Sequence, residues 1–355
     1  MGANSAQMRL WLDALLDRQA LSTADARDLL VGLTDPELPA AMIGALLAAI
    51  RAKGVTPDEL CGFALGMRAL ARRPGIEPDA DAVDIVGTGG DKSGSYNIST
   101  GASLLTAAAG LPVIKHGNRS VSSRAGSADV LEALGLKLPL DESQATACFH
   151  ATHFTFLFAP HYHPATKAIA PVRAALGIRT VFNILGPLTN PAEPRFHVIG
   201  AFNEATARLM AHALAGLPLR RAFVVHGAGG WDEPTPIGPF LLLDVTPGQV
   251  HESRRSPADY GMPVCTEDAL RGGDAAYNAA ALTRVLRGEE RGAHRDALVL
   301  SAALALEVAG RALTPRAAAQ LAAAAIDDGR ASALLAKLAA FSRNIAAPAA
   351  QAAAP

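Results

Sequence analysis

The chain has 355 residues, half of them hydrophobic and 18% charged, and carries a formal net charge of −1. Its length suits two domains of roughly 100–200 residues each, and so balanced a charge leaves no basic excess to drive nucleic-acid binding. No apolar run reaches the roughly 20 residues that span a bilayer, and Cys61, Cys148 and Cys265 are too widely spaced for a zinc motif or a disulfide framework.

The first residues, MGANSAQMRLWLDALLDRQA, lack a basic segment followed by an apolar core, so no secretory signal is expected and the expected location is the cytoplasm. Residues 1–75 read as helices joined by short turns. Asp35-Pro36 is expected to start one of them, running on into the apolar stretch to Ile50. Thr56-Pro57-Asp58-Glu59 starts another, with a capping Thr, a Pro at the first helical position and a Glu placed to reach back. Arg72-Arg73-Pro74-Gly75 breaks the pattern and marks a domain boundary.

Val83-Asp84-Ile85-Val86 is then a short strand, followed by a glycine loop, a helix over Ile98–Ala109 and a second strand at Pro112-Val113-Ile114. Strand, helix, strand is a βαβ unit with parallel strands. Asp141-Glu142-Ser143-Gln144 begins another helix. Further strands are expected at His197–Ile199 and Phe223–Val225, with a helix over Glu204–Ala215 between them. From Asp274 to Ala340 the chain returns to alanine-rich helix, capped in one place by Thr314-Pro315. The tail Ala346–Pro355 has little to bury and is expected to be disordered.

Four features carry chemistry. Gly87-Thr88-Gly89-Gly90-Asp91 follows the first strand, where small residues let the backbone turn sharply and present N–H groups to an anion. Asn97-Ile98-Ser99-Thr100 opens the next helix, whose free N–H groups favour phosphate. Lys115-His116-Gly117-Asn118-Arg119-Ser120-Val121-Ser122-Ser123-Arg124 follows the second strand, at the end of a parallel sheet where ligands bind; its cations and hydroxyls suit a highly anionic ligand. Asp232-Glu233, in a glycine-rich loop, offers hard oxygen ligands for magnesium. The dinucleotide and P-loop glycine patterns are both absent. Arg173 and the crowded His150, His153, His161 and His163 are unremarkable alone; the histidines lack zinc spacing and are expected to pack.

Taken in order, DIVGTGGD, NIST, KHGNRSVSSRAGSADVLEALG, FLFAPHYHPATK, APVRAALGIRTVFNILGPLTNPA and HGAGGWDE, with Gly272-Gly273-Asp274 and Asn278-Ala279 beyond, resemble the anthranilate phosphoribosyltransferases. The resemblance runs from Asp84 to Ala279. It implies transfer of the phosphoribosyl group of 5-phosphoribosyl 1-pyrophosphate to the amine of anthranilate, in tryptophan biosynthesis. It implies an α/β fold: a small all-helical domain (1–75, rejoined by about 163–192) and a large α/β domain (76–162 and 193–345) whose central sheet is mostly parallel and flanked by helices. It also implies an active site at the hinge, a homodimer formed through the small domain, and two magnesium ions per monomer.

By the same resemblance, Gly87, Gly90, Asp91, Ser95, Asn97, Ile98, Ser99 and Thr100 would hold the pyrophosphate and ribose. Lys115, His116, Gly117, Asn118, Arg119, Ser120, Val121, Ser122, Ser123 and Ser127 would close over the phosphoribosyl group. Ser99, Asp232 and Glu233 would bind magnesium. Gly87, Asn118 and Arg173 would contact anthranilate, the arginine pairing with its carboxylate. His116 is a candidate acceptor for the amine proton. A pyrimidine nucleoside phosphorylase would share the fold, but Arg173 with Asn118 suits a benzoate better than a pyrimidine. The chain departs from the family pattern at Lys92 (usually Gly), Tyr96 (Phe), Trp231 (Leu) and Ser301 (Asn), and in the prolines that follow Glu233, which are expected to affect loop closure and the metal site.

Overall fold

A computed structural model describes residues 5–77, 80–91, 93–120 and 124–346. Lys92, Val121, Ser122, Ser123 and the tail beyond 346 lie outside the described residues. The N-terminal quarter forms helices α1 (Ser5–Leu16), α2 (Thr23–Leu33), α3 (Ala40–Lys53) and α4 (Pro57–Ala69). The expected cap at Thr56 is present as a full capping box with Glu59. Asp35-Pro36 does not start a helix. The Asp35 carboxylate accepts from Glu37 N at 2.9 Å, which holds a turn, and α3 begins only at Ala40 behind Pro39.

Seven strands form one sheet: β1 (Val83–Gly87), β2 (Val113–Gly117), β3 (Phe154–Phe158), β4 (Phe196–Gly200), β5 (Arg221–His226), β6 (Phe240–Thr246) and β7 (Gln249–Arg255). Their order is β3-β2-β1-β4-β5-β6-β7. The first five are parallel and the last two antiparallel, so the sheet is mostly parallel, as expected. β1 (VDIVG) and β2 (VIKHG) are almost wholly buried because helices cover both faces, and the polar residues they carry, Asp84, Lys115 and His116, are buried with them. β7, QVHESRR, is a polar edge strand, and its charges blunt the open edge.

Between and after the strands lie α5 (Ile98–Ala108), α6 (Ser127–Ala133), α7 (Glu142–Thr152), α8 (Ala159–Tyr162), α9 (Ala170–Leu176), α10 (Phe182–Leu185), α11 (Glu204–Ala215), α12 (Ala275–Leu286), α13 (Ala293–Val308), α14 (Pro315–Asp327) and α15 (Arg330–Ala346). Alternate residues of each strand feed two cores. Val198, Phe223, Val225 and Leu242 pack with α5–α7 and α12–α15 on one face. Ile199, Val224, Leu241 and Leu243 pack on the other face with α11 and the N-terminal helices, joined by Ile169, Val181, Leu185 and Leu188. No helix among the described residues is long and apolar enough to cross a membrane.

Candidate active site

The parallel strands deliver their C-terminal ends to one edge of the sheet, and glycine stands at the tips of β1, β4 and β5, as it does at that of β2. Gly87 ends β1, Gly200 ends β4 beside it, and Gly227 follows β5. The main chain of Asp232-Glu233 lies across these tips. A Cβ on Gly200 would fall 1.5 Å from Asp232 O, one on Gly227 2.1 Å from Glu233 O, and one on Gly87 2.4 Å from Asp232 Oδ2. No side chain fits in that space, so the three glycines form a seat that lets the acidic pair sit down on the sheet.

The seat brings distant residues together. Asp232 Oδ2 accepts from Gly89 N at 2.5 Å and from Thr88 Oγ1 at 3.5 Å. Asp232 N donates to Asp91 Oδ2 at 3.2 Å. Glu233 Oε1 accepts from Ser99 N at 2.9 Å, in the first turn of α5, one of the unpaired N–H groups of a helix start. Trp231 is buried beneath the pair. Two of the prolines after it are packed too: Pro234 and Pro236 are buried, and Pro236 O accepts from Cys265 N at 2.9 Å, while Pro239, just before β6, is exposed.

Three carboxyls in a buried loop are costly to charge. Burial first, then the negative charges of Asp91 and Glu233, hold the Asp232 carboxyl well above the ordinary range. Burial raises Glu233 to about 7, against the pull of Ser99 N and Lys115. Ser95 also draws on the Glu233 carboxyl, whose Oε2 is buried with no close hydrogen-bond partner among the described residues. Among the described residues no group of three His, Cys, Asp or Glu side chains is arranged to hold a metal ion unaided. A cation here would take one or two carboxylates and complete its shell from elsewhere.

Lys115 is fully enclosed. Its ammonium donates to Ile85 O and lies 3.4 Å from Ser99 Oγ, while burial lowers its pKa against the attraction of Asp84 and Glu233. Asp84, raised to about 6 by burial, accepts from His116 N at 3.2 Å and Asn190 Nδ2 at 2.9 Å. His116 turns to the other face of the sheet, its Nδ1 3.3 Å from Gly186 O and its ring 5.0 Å from that of His163. Burial pushes its pKa well below the usual value, so the ring is neutral and a weak base.

The remaining expected residues divide. Asn97 holds the start of α5 in a left-handed conformation, with Oδ1 accepting from Asn278 Nδ2 at 2.8 Å and Nδ2 donating to Ala125 O at 3.2 Å. Ser95 bridges to Arg271. Ile98 and Thr100 are wholly buried, and the Thr100 N–H is used on Asn97 O. Asn118 is exposed, and Ser127 Oγ donates to its carbonyl at 3.3 Å close against Gly117. Ser120 N donates to Asp129 Oδ2 at 3.3 Å. Arg119 is paired with Asp129 and Glu132 at 2.8 and 2.6 Å; the loop is therefore less positive than its sequence reads. Arg173, on α9, lies 5.1 Å from the centre of the Phe182 ring and has no ion pair among the described residues. Among the described residues the His150–His163 group forms no metal-holding cluster, and burial lowers the His163 pKa to about 4.

Residues 10–71 match the model of the helical bundle domain of a glycosyl transferase family, and residues 79–332 match that of its a/b domain. The anthranilate phosphoribosyltransferase of Rubrobacter xylanophilus is 47% identical over 302 residues, covering 85% of this chain and 88% of that protein. That of Azorhizobium caulinodans is 44% identical over 340 residues, covering 94% and 97%. The chain belongs to the anthranilate phosphoribosyltransferase family. The crystal structure of the family member from Thermus thermophilus, 39% identical, superposes with a TM-score of 0.87 over 94% of this chain and 99% of that one. The fold also matches, at a TM-score of 0.86 and 23% identity, the Saccharomyces cerevisiae enzyme solved with phosphoribosyl pyrophosphate and magnesium.

The positions that depart from the expected pattern are physically accommodated. The Tyr96 hydroxyl donates to the His294 carbonyl, and the two rings lie tilted against each other with centroids 4.2 Å apart. Trp231 fills core and Ser301 is buried on α13. Four site-building residues were given no role from the sequence. Asp84, Asn190 and Asn278 lie in stretches that carry the resemblance, but their contacts are seen only once the fold brings them together. Arg179 donates to Gly90 O at 2.8 Å, a contact across 89 residues of sequence that nothing local announces.

Proposed function

We infer that the chain transfers the phosphoribosyl group of 5-phosphoribosyl 1-pyrophosphate to the amine of anthranilate, releasing pyrophosphate, in tryptophan biosynthesis. The observation that carries this is the seated pair Asp232-Glu233, set against the glycine loop, the start of α5 and Lys115. Such a site receives a pyrophosphate and a divalent cation together. The buried Glu233 Oε2, with no close hydrogen-bond partner among the described residues, and the mutual repulsion of three carboxyls fit magnesium, and Ser99, Asp232 and Glu233 would hold it, with two ions per monomer as the finer reading. When bound, the metal supplies positive charge to the leaving pyrophosphate.

The chain's own groups do the rest. N–H groups of the Gly87–Asp91 loop and the start of α5 orient the donor, and Lys115 adds a buried positive charge near its leaving group. The C1–O bond to pyrophosphate breaks, the C1–N bond forms, and the amine loses a proton. Neutral, weakly basic His116 is a poor acceptor for it. Arg173, partly desolvated and with no ion pair among the described residues, would pair with the carboxylate of anthranilate, and Asn118 would contact both ligands. We assign residues 1–75 and about 163–192 to a small helical domain and 76–162 and 193–345 to the large one. A cytoplasmic homodimer paired through the small domain completes the proposal.

The test is to mix protein, anthranilate, phosphoribosyl pyrophosphate and magnesium and follow anthranilate fluorescence. Its loss, stopped by a chelator, is expected; a constant signal under all conditions overturns the assignment. Arg173→Ala should raise the KM for anthranilate at least tenfold more than that for the donor. Equal changes would remove Arg173 from the acceptor site.

A further inference from the structure

Arg179 has no part in the chemistry above, yet it touches the glycine loop. Its Nη2 donates to Gly90 O at 2.8 Å, and its guanidinium lies 4.7 Å from the centre of the Phe202 ring. A Cβ on Gly90 would fall 2.7 Å from that Nη2, so a side chain there would push the guanidinium from its place. In a trans peptide the carbonyl and the following N–H point opposite ways. Drawing the Gly90 carbonyl to Arg179 therefore aims the Asp91 N–H to the other side of the loop. Gly89 and Gly90, at φ +68° and +79°, leave that peptide plane free to be set by its partner.

Arg173 stands six residues earlier on the same short segment. Gly177, at φ +62°, turns the chain between the two arginines, and Thr180 N donates to Asn183 Oδ1 at 2.8 Å to fix the far side. Each guanidinium rests on its own aromatic ring, Phe182 or Phe202. The segment thus links one arginine awaiting a carboxylate to another that holds the loop meant for pyrophosphate.

We propose that Arg179 is a positioning residue that couples acceptor binding to donor binding. A carboxylate drawn to Arg173 sets the segment, and Arg179 passes that setting to the peptide plane of Gly90. This rests on the assignments made under the proposed function. Such coupling is reciprocal: each ligand changes the affinity of the other by the same factor.

Pyrophosphate with magnesium fills the donor's anionic site without turnover, so the coupling can be read at equilibrium. The dissociation constant of anthranilate is measured by fluorescence with and without saturating pyrophosphate. In the unaltered chain it should change roughly fivefold or more. In Arg179→Ala the ratio should fall to near one, with anthranilate affinity in the absence of pyrophosphate within twofold and Tm unchanged, since Arg179 is exposed. Arg179→Lys should recover part of the ratio, because an ammonium reaches the carbonyl but cannot lie flat on Phe202. A ratio of one in the unaltered chain, or an unchanged ratio in Arg179→Ala, overturns the coupling and leaves the proposed function standing. Loss of anthranilate affinity in Arg179→Ala without pyrophosphate would make Arg179 a direct contact and overturn it too. Absence of any anthranilate binding would overturn both.

Discussion

Glu233 is easier to fold with its proton than without it. Burial, with the Asp91 carboxyl, lifts its pKa from 4.5 to about 7, so the folded chain holds a proton that the unfolded chain releases. The stability from this group is complete below about pH 4.5 and is lost as pH rises through about 7. Glu233→Gln keeps an acceptor for Ser99 N and removes the charge. Without magnesium its Tm should match that of the unaltered chain near pH 4.5 and exceed it by about 2–5 °C at pH 8. Added magnesium should raise the Tm of the unaltered chain at pH 8 and that of the variant much less. A variant that melts lower at pH 8 would mean the carboxylate is already compensated. Turnover should fall about a hundredfold or more in the same variant, on the scale of a lost electrostatic stabiliser.

At the scale of elements, α4 shows how a cap becomes a joint. Glu59 was readable as the reaching partner of Thr56, but it also accepts from Leu21 N at 2.9 Å and pairs with Lys53 at 2.8 Å while 1% exposed. Thr56→Ala should cost about 1 kcal/mol, a normal cap. Glu59→Ala strands a buried ammonium and two N–H groups and should cost about 3–5 kcal/mol, both measured by urea unfolding. Similar costs for the two would reduce Glu59 to a cap. The strands divide by the same logic. β1, β2, β4 and β5 were legible as short runs of Val, Ile and Phe next to a glycine or turn. β3 and β6 went unread although they are apolar, because a short apolar run does not by itself separate a strand from a buried helix, and β7 because an edge strand carries charges instead of a pattern. The cation count of the 115–124 loop misled, since Asp129 and Glu132, which take up Arg119, lie beyond it on α6.

Across the whole molecule, the N-terminal helices are not an independent unit. Their core continues through Ala207, Met210 and Leu214 of α11 into Val224 and Leu241 of the sheet, and Cys61 of α4 sits 3.1 Å from where a Cβ on Gly216 would be. Glu193 pairs with both Arg68 of α4 (3.6 Å) and Arg73. A fragment starting at Ile76 would expose that whole face. It should accumulate as insoluble protein or show no cooperative melt by circular dichroism; a soluble fragment with a sharp transition would show the large domain to be self-sufficient. The sequence marked the boundary near Arg72–Gly75 but not this continuity, because a shared core belongs to no local stretch.

The seat at the strand tips has a consequence for how this gene can drift. It is built from missing atoms, so each of its three positions can be spoiled by any amino-acid change and improved by none. Elsewhere glycine serves only the backbone angle: Gly94, at φ +65°, has open space around its missing side chain. Scanning all substitutions under selection for growth without tryptophan should leave blank columns at Gly87, Gly200 and Gly227, with alanine and serine excluded. Asparagine, which visits positive φ more readily than most residues, should survive at Gly94. Two kinds of glycine, alike in the written sequence, would then separate by what selection permits in their place.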